Sequence, residues 1–439
     1  MCSQTHLRCG TVGAAACLVA VLLVASVGPG RAAEVYLGLS RSAGAKIPIG
    51  MLGIHAATEL GPQAAALRAI IESDLRRSLL FDVVALPASA PPTSSPNAAR
   101  VKQAAASGVD AVVWGRLTRE RDGGLLWDGS GFDGGSGALV VQKLYRGRDD
   151  TYLRSIAHKF ADALVSAFTG EKGIAESRIA FVSDRTGKQE IYMMDYDGAQ
   201  VTKITSDRSI ALTPRWSPDG KLLTYVSYRD GRPALYSFIF ASGRRWQVVG
   251  WPGLTMSPAW SPSGDRLAFA SSREGSLDLY VADPDGKPLQ RLTFGLGDDL
   301  SPSWSPTGRQ IAYNSDQGGS AQIYVMNADG SDQRRLTFEG PYNTTPAFSP
   351  KGDWIAYTCR VDDRHQLCLT GPDGSRRVQV TDAPGNNEGP SWAPDGRHLV
   401  FASDREGSTN LYVIGIDGTG EERLTMDPGN HTMASWSPG

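Results

Sequence analysis

Charge of one sign is the first thing this chain lacks. Over 439 residues, 44 Lys and Arg stand against 46 Asp and Glu, for a formal net charge of -2. No basic block occurs, so the electrostatic footprint of a nucleic-acid binder is missing. Histidine is sparse too: of six, His6 and His55 lie towards the N-terminus, and none stands in a His-x-x-x-His pair that would suggest a metal enzyme. The Gly-x-Ser-x-Gly elbow of hydrolases is absent. These gaps point to a chain without cofactor or metal and without a catalytic centre.

Long apolar runs are equally scarce. The longest, Val12 to Val27, follows Arg8 and precedes Gly28, Pro29 and the small residues Ala32 and Ala33. With about 15 apolar residues it is short for a membrane span and reads as a secretory signal peptide over residues 1–33. Cleavage near Ala32 or Ala33 would leave an exported, non-spanning chain starting near Glu34; the rival is a lipoprotein lipidated on Cys17, with Ala14 where a Leu is wanted. Of five cysteines, Cys2, Cys9 and Cys17 belong to this leader, leaving Cys359 and Cys368.

What the chain has in quantity is a repeat. A Pro-x-aromatic-Ser/Ala-Pro cassette places aromatics at Trp216, Trp260, Trp304, Phe348, Trp392 and Trp436, each 44 residues from the next, and only the last copy replaces its leading Pro, by Ala434. Periods of roughly 40 to 45 with strand-like content are propeller blades. The third unit shows the order: Pro258 to Pro262, a Ser263-Gly264 turn, Leu267 to Ala270, a Ser-Arg-Glu-Gly turn, Leu277 to Val281, Asp285-Gly286, and Leu289 to Thr293. These are four strands, A to D, joined by turn residues.

The two ends of the array are unequal. It starts on a B strand at Ile179 and stops after an A cassette, so Ala434 to Pro438 is expected to complete the unit begun at Ile179, closing six blades and removing both sheet edges. Antiparallel parity then puts the D-to-A and B-to-C loops on one face and the A-to-B and C-to-D turns on the other. The linker enters on the latter, so the N-terminal domain belongs there and the D-to-A face is left for a partner.

The expected organisation is an α/β domain at 34–170, a linker at 171–178 and an all-β six-bladed β-propeller at 179–439, closed by the C-terminal strand. In the α/β part, Val35, Leu37 and Leu39 alternate as a strand does, and Ile47 to Ile54 reads as a second strand. A helix opens at Gly61-Pro62 with Leu67, Ile70, Ile71, Leu75 and Leu79 on one face. Phe81 to Leu86, a helix near Ala98 to Ala106, the apolar strand Val109 to Leu117, a Gly-rich hairpin at Gly123 to Gly137 and a helix from Asp150 to Phe168 complete it.

Most motifs have structural readings. Asp195 to Gly198 and Asp283 to Gly286 lack the downstream Glu of a calcium loop and read as hairpin turns. The Ser-Asp-Arg groups at Ser183 and Ser403 read as turns whose Asp bonds nearby amides, and the cassette aromatics as core rather than a glycan platform. Cys359 and Cys368 fill slots held by Ser183 and Tyr192 in the first unit, nine residues apart across a hairpin; they are expected to bond in an exported compartment, the alternative being two separate buried thiols. Departures from the repeat cluster before each cassette, as binding loops do: Ser209 to Thr213, Leu254-Thr255-Met256-Ser257, Asp298-Asp299-Leu300-Ser301, Tyr342-Asn343-Thr344-Thr345, Asn386-Asn387-Glu388-Gly389 and Asn430 to Met433. Polar groups mixed with Leu254, Met256, Leu300, Tyr342 and Met433 suit a protein-binding face.

Taken together, the leader, an α/β domain beginning Glu34-Val35 with Ile47-Pro-Ile-Gly50, the six-unit array and the terminal Ala434-Ser-Trp-Ser-Pro resemble the TolB family, periplasmic propeller proteins of the Tol-Pal envelope system, along essentially the whole mature chain. The cassette alone is also similar to the propellers of prolyl-oligopeptidase-type enzymes and tricorn-like proteins. The family resemblance implies a monomeric, non-enzymatic periplasmic adaptor serving outer-membrane integrity and cell division. It implies a Pal-like lipoprotein bound at the D-to-A face, through Leu254 to Ser257 and Asp298 to Ser301, and a TolA-like inner-membrane protein bound at the mature N-terminus, through Glu34, Val35, Leu37 and Leu39. Leu254 stands where the family carries a histidine, and Arg41 and Lys46 follow a first strand that is acidic in the family. A propeller-gated peptidase and an exported glycan binder are the alternative functions.

Overall fold

The computed structural model describes residues 45–87 and 94–439, so the leader, Glu34, Val35, Leu37 and Leu39 lie outside the described residues. The N-terminal part is one mixed sheet. Its elements are β1 (Ile47–Ala56), α1 (Gly61–Arg77), β2 (Phe81–Val84), α2 (Ala98–Ala105), β3 (Ala111–Arg119), β4 (Leu125–Asp133), β5 (Leu139–Gly147) and α3 (Leu153–Thr169). The sheet order is β2-β1-β3-β4-β5, with β1 parallel to both neighbours and β3, β4 and β5 antiparallel. Alternation along β3 sends Ala111 and Val113 to the core with α1 and α3, and Val112 and Trp114 to a second cluster with Val101 of α2.

Two local expectations change. The Gly-rich stretch Gly123 to Gly137 is mostly the single strand β4: its Gly129, like Gly115 of β3, clears room for a neighbouring ring, since a Cβ on Gly115 would fall 1.8 Å from Trp127 and one on Gly129 would fall 2.6 Å from Phe160. Leu79 is not on the helix face, because α1 stops at Arg77 and Leu79 takes a left-handed φ of 61°. Its side chain instead packs on the propeller, where a Cβ on Gly415 or Gly420 would meet it at 2.7 or 2.8 Å.

Six four-stranded sheets follow. Blade I joins strand A His431–Trp436 to B Arg178–Ser183, C Glu190–Asp195 and D Thr202–Lys203, so the ring closes as the unequal ends require. In blades II to VI the A strands are Ala211–Trp216, Thr255–Trp260, Asp299–Trp304, Asn343–Phe348 and Asn387–Trp392, and in every sheet A pairs with B, B with C and C with D.

The cassette explains itself once these strands are in place. Every A strand carries an extra residue against its B strand, a bulge that admits a proline lacking an N–H. At that bulge Thr213, Ser257, Ser301, Thr345, Gly389 and Met433 all have φ between 47° and 65°. The aromatic then reaches the preceding blade: Trp216, Trp304 and Trp392 donate their indole N–H to the carbonyls of Ser435, Ala259 and Ala347 at 3.0, 3.1 and 2.8 Å. The closing proline nests against the glycine of the next A-to-B turn, so that a Cβ on Gly264 would sit 3.2 Å from Pro218 Cγ.

The N-terminal domain docks on the A-to-B and C-to-D face. Arg77 pairs with Glu422, and Arg154 with Asp197 at 2.7 Å, in the C-to-D turn Asp195–Gly198. Buried Asp74 accepts from Tyr196 Oη and lies 2.8 Å from His158 Nδ1. Linker residues continue the seam: Glu171 meets Lys351 and Arg397, and Lys172 Nζ donates to the carbonyls of Pro438 and Gly439 at 3.0 and 3.1 Å.

Two measurements follow from this packing. Trp216→Phe keeps the shape already accepted at Phe348 but strands the Ser435 carbonyl, so equilibrium denaturation should show a loss of about 1 to 2 kcal/mol. At the domain seam burial opposes charge on His158, but the hydrogen bond and charge of Asp74 outweigh it and raise its pKa, with Asp197 assisting and Arg154 opposing. The folded value lies above the free one, about 6.5, so the contribution is complete below that pH and fades as pH rises through the folded value. Melting curves from pH 6 to pH 9 should therefore fall more for the native chain than for His158→Gln.

Candidate partner-binding face

The face opposite the N-terminal domain is built from the D-to-A and B-to-C loops. Among the residues expected there, Leu254, Tyr342, Asp298 and Glu388 are exposed, and Met256, Ser257, Leu300, Ser301, Thr344 and Asn386 are half-buried. The other four, Thr255, Asp299, Asn343 and Asn387, are buried, because each opens an A strand and turns inward. Asn343 Nδ2 donates to Gln322 Oε1 at 2.8 Å and Asn387 Nδ2 to Gln366 Oε1 at 2.9 Å. Burial pushes the Asp299 carboxyl up, and the nearby Asp278 charge adds to this. These side chains tie loop to blade.

The Ser-Asp-Arg groups shape the same face. Asp404 accepts from Asn386 backbone N at 2.6 Å and side-chain N at 2.9 Å, and Asp184 repeats the pair with Asn430 at 2.7 and 2.9 Å. Asp316 accepts from the Asp298 amide at 2.8 Å, and Ser272 Oγ from the Leu254 amide at 2.9 Å. The aspartates thus act as turn residues, but across to the D-to-A loop rather than within their own turn. The arginines fold back over aromatics, Arg185 at 4.7 Å from the Tyr192 ring and Arg405 at 4.4 Å from Tyr412.

An outer tier of apolar side chains went unread in the sequence. Phe294, Phe338 and Met426 are 70%, 75% and 70% exposed, and Leu296 is fully so. Arg291 and Arg335 lie over the two phenylalanine rings, at 4.6 and 5.0 Å. The signal was present: the residue after each D strand's final Thr or Val reads Ser206, Gly250, Phe294, Phe338, Asp382 and Met426, a slot as periodic as the cassette. With Leu254 and Tyr342, the phenylalanines and Leu296 make the surface most apolar at the loops leading into blades III, IV and V.

Blade V departs furthest from the repeat. Cys359 and Cys368 form a disulfide, as a diagonal rather than directly opposed pair: Cys359 faces Gln366 and Cys368 faces Tyr357. Their hairpin turns at Asp362 and Asp363, both left-handed, and its His365 stacks on Tyr342 at 5.7 Å and pairs with Glu388. Through the centre of the ring runs a channel of about 690 Å³, from the bulge residues at this mouth to the six cassette prolines and Lys172 at the other end. Among the described residues, no group of three or more His, Cys, Asp or Glu is placed to hold a metal ion.

A closed six-bladed ring with a small α/β domain on one face and pinned, partly aromatic loops on the other defines a two-domain β-propeller protein. The family model described as the TolB beta propeller domain matches residues 165–438, and that of the TolB amino-terminal domain matches residues 36–129. The chain belongs to the TolB family, whose members are not enzymes. The "Protein TolB homolog" of Chlorobium chlorochromatii (strain CaD3) is 35% identical over 192 residues, so the match spans 43% of this chain and 43% of that curated relative. The crystal structure of TolB from Acinetobacter baumannii is similar at 26% identity and a TM-score of 0.79, covering 90% of this chain and 97% of that one. Hydrazine synthase of Kuenenia stuttgartiensis shares the fold alone, with 16% identity and a TM-score of 0.52 over 61% of this chain and 47% of that one.

The pinning of the loops can be measured. Partial burial works against the Asp404 charge, yet the Asn386 bonds hold its carboxyl below the usual range. Asp404→Ala should cost about 1 to 3 kcal/mol and speed amide exchange at Asn386 about tenfold, read by hydrogen-exchange mass spectrometry.

Proposed function

We propose that this chain is a periplasmic adaptor of the Tol-Pal envelope system. In this reading it docks a Pal-like lipoprotein on the loop face and a TolA-like inner-membrane protein through its mature N-terminal strand from Glu34, supporting outer-membrane integrity and cell division. Membership of the TolB family supports the system. The observation that carries the face is the array of Leu254, Phe294, Leu296, Phe338 and Tyr342, on the side away from the docked α/β domain. Exposed aromatics over buried, hydrogen-bonded supports are the composition of a binding hot spot, and a standard interface takes about 800 Å² per partner.

Leu254, Tyr342, Asp298 and Glu388 remain direct contacts in this proposal; Met256, Ser257 and Ser301 line the channel mouth, and Leu300, Thr344 and Asn386 stand half-buried in the same loops. Thr255, Asp299, Asn343 and Asn387 set loop shape from below. The reading is tested by titrating the mature chain with the same organism's peptidoglycan-associated lipoprotein. Tyr342→Ala and Phe338→Ala should each weaken binding by about tenfold or more, at least 1.4 kcal/mol, with melting unchanged. Absence of binding by a folded chain, or native affinity in both variants, would remove this face from the proposal.

A further inference from the structure

The central channel carries a charge that the ring does not neutralise. In the innermost strands the residue before the aromatic reads Arg215, Ala259, Ser303, Ala347, Ser391 and Ser435, and all six line the channel. Five are small and one is a guanidinium. No Asp or Glu is among the lining side chains, and the other cation there, Lys172, is engaged with the carbonyls of Pro438 and Gly439. Arg215 Nη1 donates to the carbonyl of its own neighbour, Pro214, at 2.9 Å. That bond uses one of five N–H donors and supplies no counter-charge. Loss of water alone pushes the guanidinium down to about 10, whereas Arg77, paired with Glu422, is shifted upward.

The surroundings are suited to an anion. Ser303 Oγ accepts from the Phe348 amide at 2.9 Å and Ser391 Oγ from the Trp436 amide at 3.0 Å, which leaves each hydroxyl its own proton to donate into the channel. Arg215 lies two residues along its strand from the bulge at Thr213, about 7 Å below the loop-built mouth. We infer that Arg215 anchors a binding site for a carboxylate or phosphate oxyanion inside the channel, entered from that mouth. The guanidinium offers two parallel N–H donors to the two oxygens of the ligand, and low local polarity strengthens the pair. Two sources present this chemistry, a free small anion and an acidic side chain of a docked protein. The site does not depend on which protein docks above it.

The test is calorimetric titration of the full mature chain with sodium phosphate, with succinate and with the blocked peptide acetyl-Gly-Glu-Gly-amide. Tryptophan fluorescence gives a second readout, because Trp216, Trp260, Trp304, Trp392 and Trp436 line the channel. At least one probe should bind, and Arg215→Gln should weaken it about tenfold or more. Arg215→Lys keeps the charge without the planar fork and should fall between the two. Binding of phosphate or succinate without the peptide assigns a free anion; binding of the peptide alone assigns a docked carboxylate. Silence of all three probes on the folded native chain overturns the inference, as does native affinity in Arg215→Gln. Should Arg215→Gln fail to melt as a folded protein, undiminished affinity in Arg215→Lys overturns it instead.

Discussion

The ring depends on one antiparallel pairing, between His431–Trp436 and Arg178–Ser183. Without it, blade I lacks its inner strand and two sheet edges face solvent. Trp216 extends the same seam by donating to the Ser435 carbonyl, and the linker grips it through Lys172 and through Ser177, whose Oγ accepts from Trp436 Nε1 at 2.7 Å. Closure therefore also fixes where the α/β domain sits, since the chain reaches the ring beside this joint. Docking on one face and the freedom of the other are both consequences of where the circle is sewn.

Within the ring, strict repetition and local variation are assigned to different positions of the same strand. The aromatic and the closing proline of the cassette are held by contacts to the neighbouring blade, so they tolerate little change. One residue before the cassette, the bulge frees the chain, and six different neighbourhoods at the mouth share one backbone conformation. Variation in chemistry on an unvarying frame is what lets a symmetric fold carry an asymmetric surface, here weighted towards the loops entering blades III to V.

The blade count, strand order, ring closure and docked face were legible in the sequence because period, parity and unpaired ends are properties of the chain itself. The site was legible only in part. Windows of four residues before each cassette ran across a strand boundary, so Asn343 and Asn387, polar and seemingly suited to the surface, proved to be buried partners of Gln322 and Gln366. Phe294 and Phe338 escaped because they stand just past the end of a D strand, outside the windows of four residues before each cassette. Leu79 was misplaced because a helix pattern continues past the residue at which the helix stops. In each case burial was decided by tertiary neighbours, which a single sequence does not display.

The seam also governs how the molecule can come into being. Its closing strand is separated from its partner by about 250 residues of intervening blades, yet loop-closure entropy grows only by about 0.6 kcal/mol per doubling of length. Distance thus costs the ring far more in time than in stability. As the chain folds, five blades can form from local hairpins while the first waits with an open edge for its last strand. During that interval the exposed edge of Arg178–Ser183 is the place most open to pairing with a wrong chain, and arrival of His431–Trp436 ends the hazard in a single step.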